Sequence, residues 1–343
     1  MAKKINELNP LERASVSTLL RAEDKAFVFE NGALRSMYQN ASNKITEKIE
    51  AFYGRYAEEN KISYEKALEV LGNTERKNYQ ELLRQYYKEA AGDKAWQAEL
   101  KALSIKSEII RLEALNGEIM QELNRLGARI ETGIYNLEAG VYEDSYYRTV
   151  FNEQQKAGVA ESFAKLDKRK INAAISRTYQ NMTLSDRVWG NNIDNVINAL
   201  RSELPQAFIT GASVQDLAQT LRDRLDTSYN NAVRLVRTET NRVNSQAVLD
   251  SYSETMEGTE EIEFLATLDE RTSDICAAMD GQRIRLEDAE IGVNVPPLHP
   301  NCRSTTVRVF SDAHFERIAK DADGNYETLQ NMTYNEWLEE YVK

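Results

Sequence analysis

EIEFLATLDERTSDICAAMDGQRIRLEDAEIGVNVPPLHPNCRSTTVRVF, residues 261–310, is where the chain changes character. The stretch holds both cysteines, Cys276 and Cys302, one of the two histidines, His299, and three of the five prolines, Pro296, Pro297 and Pro300. Ile262, Phe264, Ala266 and Leu268 alternate with Glu261, Glu263, Leu265 and Thr267, the period-two pattern of a strand with one buried face. Asp280-Gly281 is a turn signal ahead of a second strand at Arg283–Leu286, and Thr305–Val309 supplies a third. Ser273–Met279, lying between them, reads as a short helix. These signals predict a small α+β domain over 256–310 with a short antiparallel sheet, of a size that calls for a staple.

Upstream the period is helical. No proline occurs between Pro10 and Pro205, and a helix interior is where proline is least tolerated, at a cost of about 3 kcal/mol. Ile45, Ile49, Phe52 and Tyr56 form one stripe, and Tyr79, Leu82, Leu83 and Tyr86 form another. Ser63 is placed to cap a short helix carrying Ala67, Leu68 and Leu71, with Gly72 and Gly92 at expected helix ends. Ile105, Ile109, Leu112, Leu115, Ile119, Leu123, Leu126 and Ile130 keep three-or-four spacing, which predicts a helix running from Trp96 to about Arg148 if Gly117, Gly127, Gly133 and Gly140 do not break it. Further stripes follow at Ile193, Val196, Ile197, Leu200 and Leu204, and at Val214, Leu217, Ala218, Leu221 and Leu225 behind a Ser213 cap. A last long helix places Ala232, Leu235, Val236, Val243 and Ala247 in the core, with Arg237 and Glu239 as a candidate buried ion pair against the simpler reading of solvated charge. The fold class is mainly α: a long helical region over 1–183, elongated if its longest helix is continuous, a helical connector over 184–255, the small α+β domain over 256–310, and a polar tail over 311–343 in which Thr333 caps a short terminal helix. The tyrosines Tyr135, Tyr142, Tyr146 and Tyr147 suit either a core or an interface.

Composition narrows the function classes. A chain of 343 residues has room for two domains. Its net charge of -12 argues against a surface that grips nucleic acid throughout. One local basic cluster, Lys165, Lys168, Arg169, Lys170 and Arg177, is the candidate DNA contact, against the simpler reading of a solvated helix face. No stretch approaches the roughly 20 apolar residues of a membrane span, and no apolar run follows the basic residues near Met1, so a protein made in a cytoplasm with no membrane partner is expected.

Cys276, His299 and Cys302 are three good zinc ligands, and the His299-x-x-Cys302 spacing on a proline-stiffened loop can present two of them to one ion. Asp269, Asp274, Asp280 and His314 are the candidates for a fourth ligand. Against this stands the reading of two reduced, buried thiols beside a hydrogen-bonded histidine. HExxH, a zinc-deaminase pattern, a phosphate-binding glycine loop and a Gly-x-Ser-x-Gly elbow are all missing, so no catalytic residue is assigned and the chain is not expected to be an enzyme. A metal-dependent nuclease or hydrolase is the alternative.

Arg237-Thr238-Glu239, then FLATLDERTSDIC with Asp269, Arg271, Thr272 and Cys276, then Asp280-Gly281 and GVNVPPLHPNCRSTT, together resemble the C-terminal domain of phage minor head proteins of the Mu F-like head morphogenesis family. The resemblance runs from about Leu184 to Val309 and includes SDRVWGN and NAVRLVRTETN. It implies a structural component of a tailed-phage head. Such a component is present in few copies, recruited to the prohead in the host cytoplasm and carried in the virion. Its implied partners are the portal or major capsid protein, other copies of itself and, in some relatives, packaged DNA. Many relatives carry two more cysteines, at the positions of Ser273 and Ser304, so a four-cysteine zinc site is not available to this chain.

Overall fold

The computed structural model describes residues 8–59, 99–157, 163–200, 203, 214–256, 258–269, 271–309 and 338–342. The expected helices around Ser63 and Tyr79, the Ser213 cap, Pro205, His314 and Thr333 lie outside the described residues.

Helix α1 (Pro10–Phe29) starts where the sequence provides a capping box: the Asn9 side chain accepts from the Leu11 and Glu12 amides, and Glu12 accepts from the Asn9 amide at 2.7 Å. A π-helical turn at Glu30–Leu34 leads into α2 (Arg35–Glu59). Helix α3 (Glu99–Ala157) is unbroken over 59 residues, so none of its four glycines interrupts it. Asp167 caps α4 (Lys168–Ile175) by accepting from the Lys170 amide. After α5 (Leu184–Val188) comes a second π-helical turn at Trp189–Ile193 and then helix over 194–200. Helix α6 (Val214–Thr255) runs for 42 residues and delivers the chain to the sheet.

The sheet has the order β2-β1-β3, with β1 (Glu261–Leu265) antiparallel to both β2 (Arg283–Arg285) and β3 (Thr305–Arg308). Ile262 faces Ile284 on one side and Arg308 on the other. The strand ends earlier than the alternation through Leu268 predicts. The Ala266 amide turns away from the ladder to donate to Asp280 Oδ1 at 2.9 Å. Ser273 caps α7 (Asp274–Met279), and Gly281, at φ +73°, makes the turn into β2 where the Asp-Gly pair predicts it.

The chain divides into two compact units, neither contiguous in sequence: 1–33, 132–185 and 233–343 in one, 34–131 and 186–232 in the other. Helices α3 and α6 contribute to each.

In the first unit, one core joins Val248, Leu249, Tyr252 and Met256 of α6 to Ile262, Phe264, Cys276, Ile284, Val295 and Cys302. A second core joins Ala22, Val141, Tyr142, Tyr146, Tyr147, Val150, Ala174, Val243 and Ala247, with Tyr341 and Val342 against it. Tyr142, Tyr146 and Tyr147 are therefore core residues, and their hydroxyls are satisfied: Tyr142 donates to Asp250 at 2.6 Å, Tyr146 to the Ala164 carbonyl at 2.8 Å, and Tyr147 accepts from the Leu166 amide.

In the second unit, Ile45, Ile49 and Phe52 are buried as their spacing predicts, together with Leu115, Ile119, Leu123, Leu126 and Ile130 of α3. Tyr38, Ser228 and Asn192 close a buried ring of hydrogen bonds. Trp189 donates to Glu131 at 2.8 Å and covers Gly127, where an added Cβ would lie 2.6 Å from the indole ring. Gly127→Ala should destabilise the protein by a net ~1–2 kcal/mol, because overpacking of about 1–3 kcal/mol exceeds the helix-propensity gain of at most about 1. Gly117→Ala, on an exposed turn of the same helix with nothing within 4 Å, should stabilise it by ~0.5–1 kcal/mol. Urea unfolding followed by tryptophan fluorescence and circular dichroism measures both.

Candidate functional site

The residues that gave the C-terminal stretch its character converge in the structure. Cys276 sits in the first turn of α7, where the Ser273 hydroxyl accepts from its amide. His299 and Cys302 sit on the long loop between β2 and β3, joined by a turn in which the Cys302 amide donates to the His299 carbonyl. Cys276 Sγ lies 3.6 Å from Cys302 Sγ and 3.2 Å from His299 Nε2, and the three ligand atoms all lie within 4.8 Å of one another. Both cysteines are free thiols and both are buried, while His299 is half-buried.

The histidine tautomer follows from its partners. Nδ1 lies 2.9 Å from the Pro300 carbonyl, which can only accept, so Nδ1 carries the proton. Nε2 then presents a lone pair toward Cys276 and toward the Ser273 hydroxyl at 2.7 Å. The thiols are strongly asymmetric. The Cys302 thiol above all, then the hydroxyls of Ser304 and Ser273 and His299, holds Cys276 below its ordinary value. Cys302 is pushed up, first by its hydrogen bond to Cys276 and then by burial.

The loop is pinned on two sides. Asn241 of α6 donates through Nδ2 to the Cys302 carbonyl at 2.6 Å and to the Ser304 carbonyl at 3.2 Å. One turn earlier, Thr238 Oγ1 accepts from the Asn301 amide, and Asn301 adopts φ +58°. Tyr179 donates to the Pro297 carbonyl at 3.0 Å and crowds Gly292, whose φ of +89° and missing Cβ permit the approach. Neither the Tyr179 contact nor the Asn241 clamp has a local sequence signal, since each joins positions more than 60 residues apart.

Three of the expected fourth ligands, Asp269, Asp274 and Asp280, are not part of the cluster. Asp269 grips Arg303 through two bonds of 2.6 and 2.7 Å, and Arg303 together with the Arg271 amide holds its carboxyl below the usual range. Asp280 is engaged by the Ala266 amide, and Asp274 is exposed. Among the described residues, the ligand cluster is Cys276, His299 and Cys302 alone.

The expected Arg237–Glu239 pair is replaced by two others. Arg237 forks onto Glu30 at 2.9–3.1 Å, and Glu239 takes Arg242 at 2.7 Å. Helical geometry explains the choice: residues two apart point to different faces, whereas residues three apart share one. In the basic cluster, Lys170 pairs with Glu254 at 2.5 Å and lies over the Tyr146 ring, Arg169 pairs with Asp167, and Arg177 stands 3.8 Å from Asp250. Lys165 and Lys168 are exposed.

Residues 198–307 match the family described as Phage Mu protein F like protein. The chain is also similar to NAD(+)--arginine ADP-ribosyltransferase EFV of Enterococcus faecalis (strain ATCC 700802 / V583), 24% identical over 259 residues, which is 72% of this chain. It spans 52% of that protein's length. No solved structure matches the chain.

Proposed function

We propose that this chain, a phage head protein that is Mu F-like over residues 198–307, is a minor structural component of the prohead of a tailed phage, positioned at the portal vertex. The observation that carries the reading is the extent of the match. It takes in all of α6, β1, β2, the loop that holds His299 and Cys302, and β3 up to Val307. Within the matched segment, Asn241 and Thr238 hold the loop around Asn301 and Cys302 to α6 and Arg303 ties it to Asp269, structural work that suits an assembly role. Its partners are the portal or major capsid protein and other copies of itself, met in the host cytoplasm during assembly and retained in the virion. No helix among the described residues is long and apolar enough to cross a membrane.

DNA is a weaker partner, because Lys170, Arg169 and Arg177 already face Glu254, Asp167 and Asp250. Retention on DNA should accordingly be slight and vanish with modest salt. Mass spectrometry of purified proheads and virions should find the chain in few copies, and co-expression should co-purify it with the portal protein of the same phage. Its absence from proheads and virions alike would overturn the assignment.

The second reading is enzymatic, and the relative named as an ADP-ribosyltransferase is the observation that favours it. Incubation of the purified chain with NAD(+) and an arginine acceptor, and separately with DNA and divalent metal, tests it. Turnover lost in His299→Ala or Cys302→Ala would replace the structural reading.

A further inference from the structure

We propose that Cys276, His299 and Cys302 form a site for one thiophilic divalent cation of the zinc class, with two sulfurs and one nitrogen from the protein and the fourth position taken by solvent. The inference is independent of any role in a phage head. Zinc bonded to sulfur at about 2.3 Å and nitrogen at about 2.0–2.1 Å in a tetrahedron separates two sulfurs by roughly 3.8 Å and sulfur from nitrogen by roughly 3.5 Å. The Cys276–Cys302 and Cys276–His299 separations here are 3.6 and 3.2 Å, each within a few tenths of an ångström of those values, and all three donor atoms lie within 4.8 Å of one another.

The donor set has the right chemistry as well as the right spacing. Nδ1–H is committed to the Pro300 carbonyl, which leaves the Nε2 lone pair as the ligand and fixes the ring plane. The backbone at Cys302 is held by Asn241, and that at Cys276 by the Ser273 cap, so the sulfurs are positioned before any ion arrives. Two thiolates and a neutral imidazole balance the 2+ charge, each thiol giving up its proton as its metal–sulfur bond forms. Thiolate with imidazole selects zinc, or cobalt(II) as its spectroscopic substitute, over calcium and magnesium, which take oxygen ligands.

The site ties α7 to the loop before β3. These segments are 26 residues apart, joined in sequence by β2 and the proline loop. A cation there would act as the staple that so small a sheet lacks.

The test uses the full chain, stripped with a chelator under reducing conditions and titrated with zinc and, in parallel, cobalt(II). One equivalent of zinc should remain after dialysis, thermal stability should rise, and the cobalt(II) form should show sulfur-to-metal charge transfer with the intense visible bands of a four-coordinate ion. Cys276→Ser, Cys302→Ser and His299→Gln should each weaken zinc at least ~10-fold. Ser273→Ala, which removes a helix cap but no ligand, should keep one equivalent while lowering the melting temperature. A variant that fails to fold is bypassed by the wild-type chain, in which zinc should protect both thiols from a thiol reagent. Substoichiometric metal, or thiols that react equally fast with and without zinc in the folded protein, would overturn the proposal.

Discussion

Arg242→Ala should destabilise the protein by about 3–5 kcal/mol, the cost of leaving a buried ionic partner uncompensated. Arg242 is among the most deeply buried large side chains, with 2% of its side chain exposed. Its Nε donates to Glu239 at 2.7 Å and its Nη2 faces Glu138 at 3.4 Å, both carboxylates being buried. The remaining guanidinium hydrogens approach the Ala174 and Ile175 carbonyls at the end of α4. Burial, the largest single influence, works to discharge Arg242, and the two carboxylates together reverse it and raise its pKa. Removing the cation exposes both acids to that same burial without compensation. The prediction is specific to charge, because Arg242→Met keeps much of the volume and should lose nearly as much as Arg242→Ala. Arg242→Met combined with Glu138→Gln and Glu239→Gln should recover most of the loss, as replacement of a whole buried ion triad often does. Urea unfolding midpoints at neutral pH decide it. A single Arg242→Ala costing under ~1 kcal/mol would show that solvent reaches the triad and that the charges are screened.

That triad also marks the limit of what periodicity can read. The spacing of Ala232, Val236, Val243 and Ala247 correctly gives one buried face of α6, while Leu235 is only half-buried. From Thr238 to Leu249, however, every residue is buried, including Glu239, Thr240, Asn241, Arg242, Asn244, Ser245 and Gln246. A helix surrounded on all sides loses the polar–apolar contrast on which a 3.6-residue pattern depends, and its polar groups are satisfied by partners remote in sequence.

Local signals fared better where the physics is local. The short helix read at Ser273–Met279, the Asp280-Gly281 turn and the alternation of Ile262 with Phe264 each depend on a few neighbouring residues, and each appears in the structure. The candidate site divides the same way. His299-x-x-Cys302 is local and could be read as a pair, but the approach of Cys276 depends on how β1 and β2 return the chain, and the clamps from Asn241 and Tyr179 depend on tertiary packing. The family match reaches across this gap, since it begins at residue 198 and includes the buried polar run of α6.

Phe264→Ala should cost a further ~3–5 kcal/mol, here through a cavity rather than a charge. Phe264 is fully buried on the central strand, with β2 and β3 on either side, in the core that also contains Tyr252, Ile284, Cys276 and Cys302. No neighbouring strand can close over the void without breaking a ladder. Phe264 itself uses both backbone groups next to the turn: its amide donates to the Gln282 carbonyl, and its carbonyl accepts from Gly281. The site should register the loss as well, since Cys276 and Cys302 line the same core, so their reactivity toward a thiol reagent should rise in Phe264→Ala. Phe264→Leu retains most of the apolar volume and should cost less than ~1.5 kcal/mol with the thiols still shielded. If both substitutions expose the thiols equally, shape rather than volume at Phe264 holds the loop. If neither does, the His299–Cys302 loop is held by Asn241, Thr238 and Tyr179 independently of the sheet core, and double substitution with Asn241→Ala should then be needed to release it.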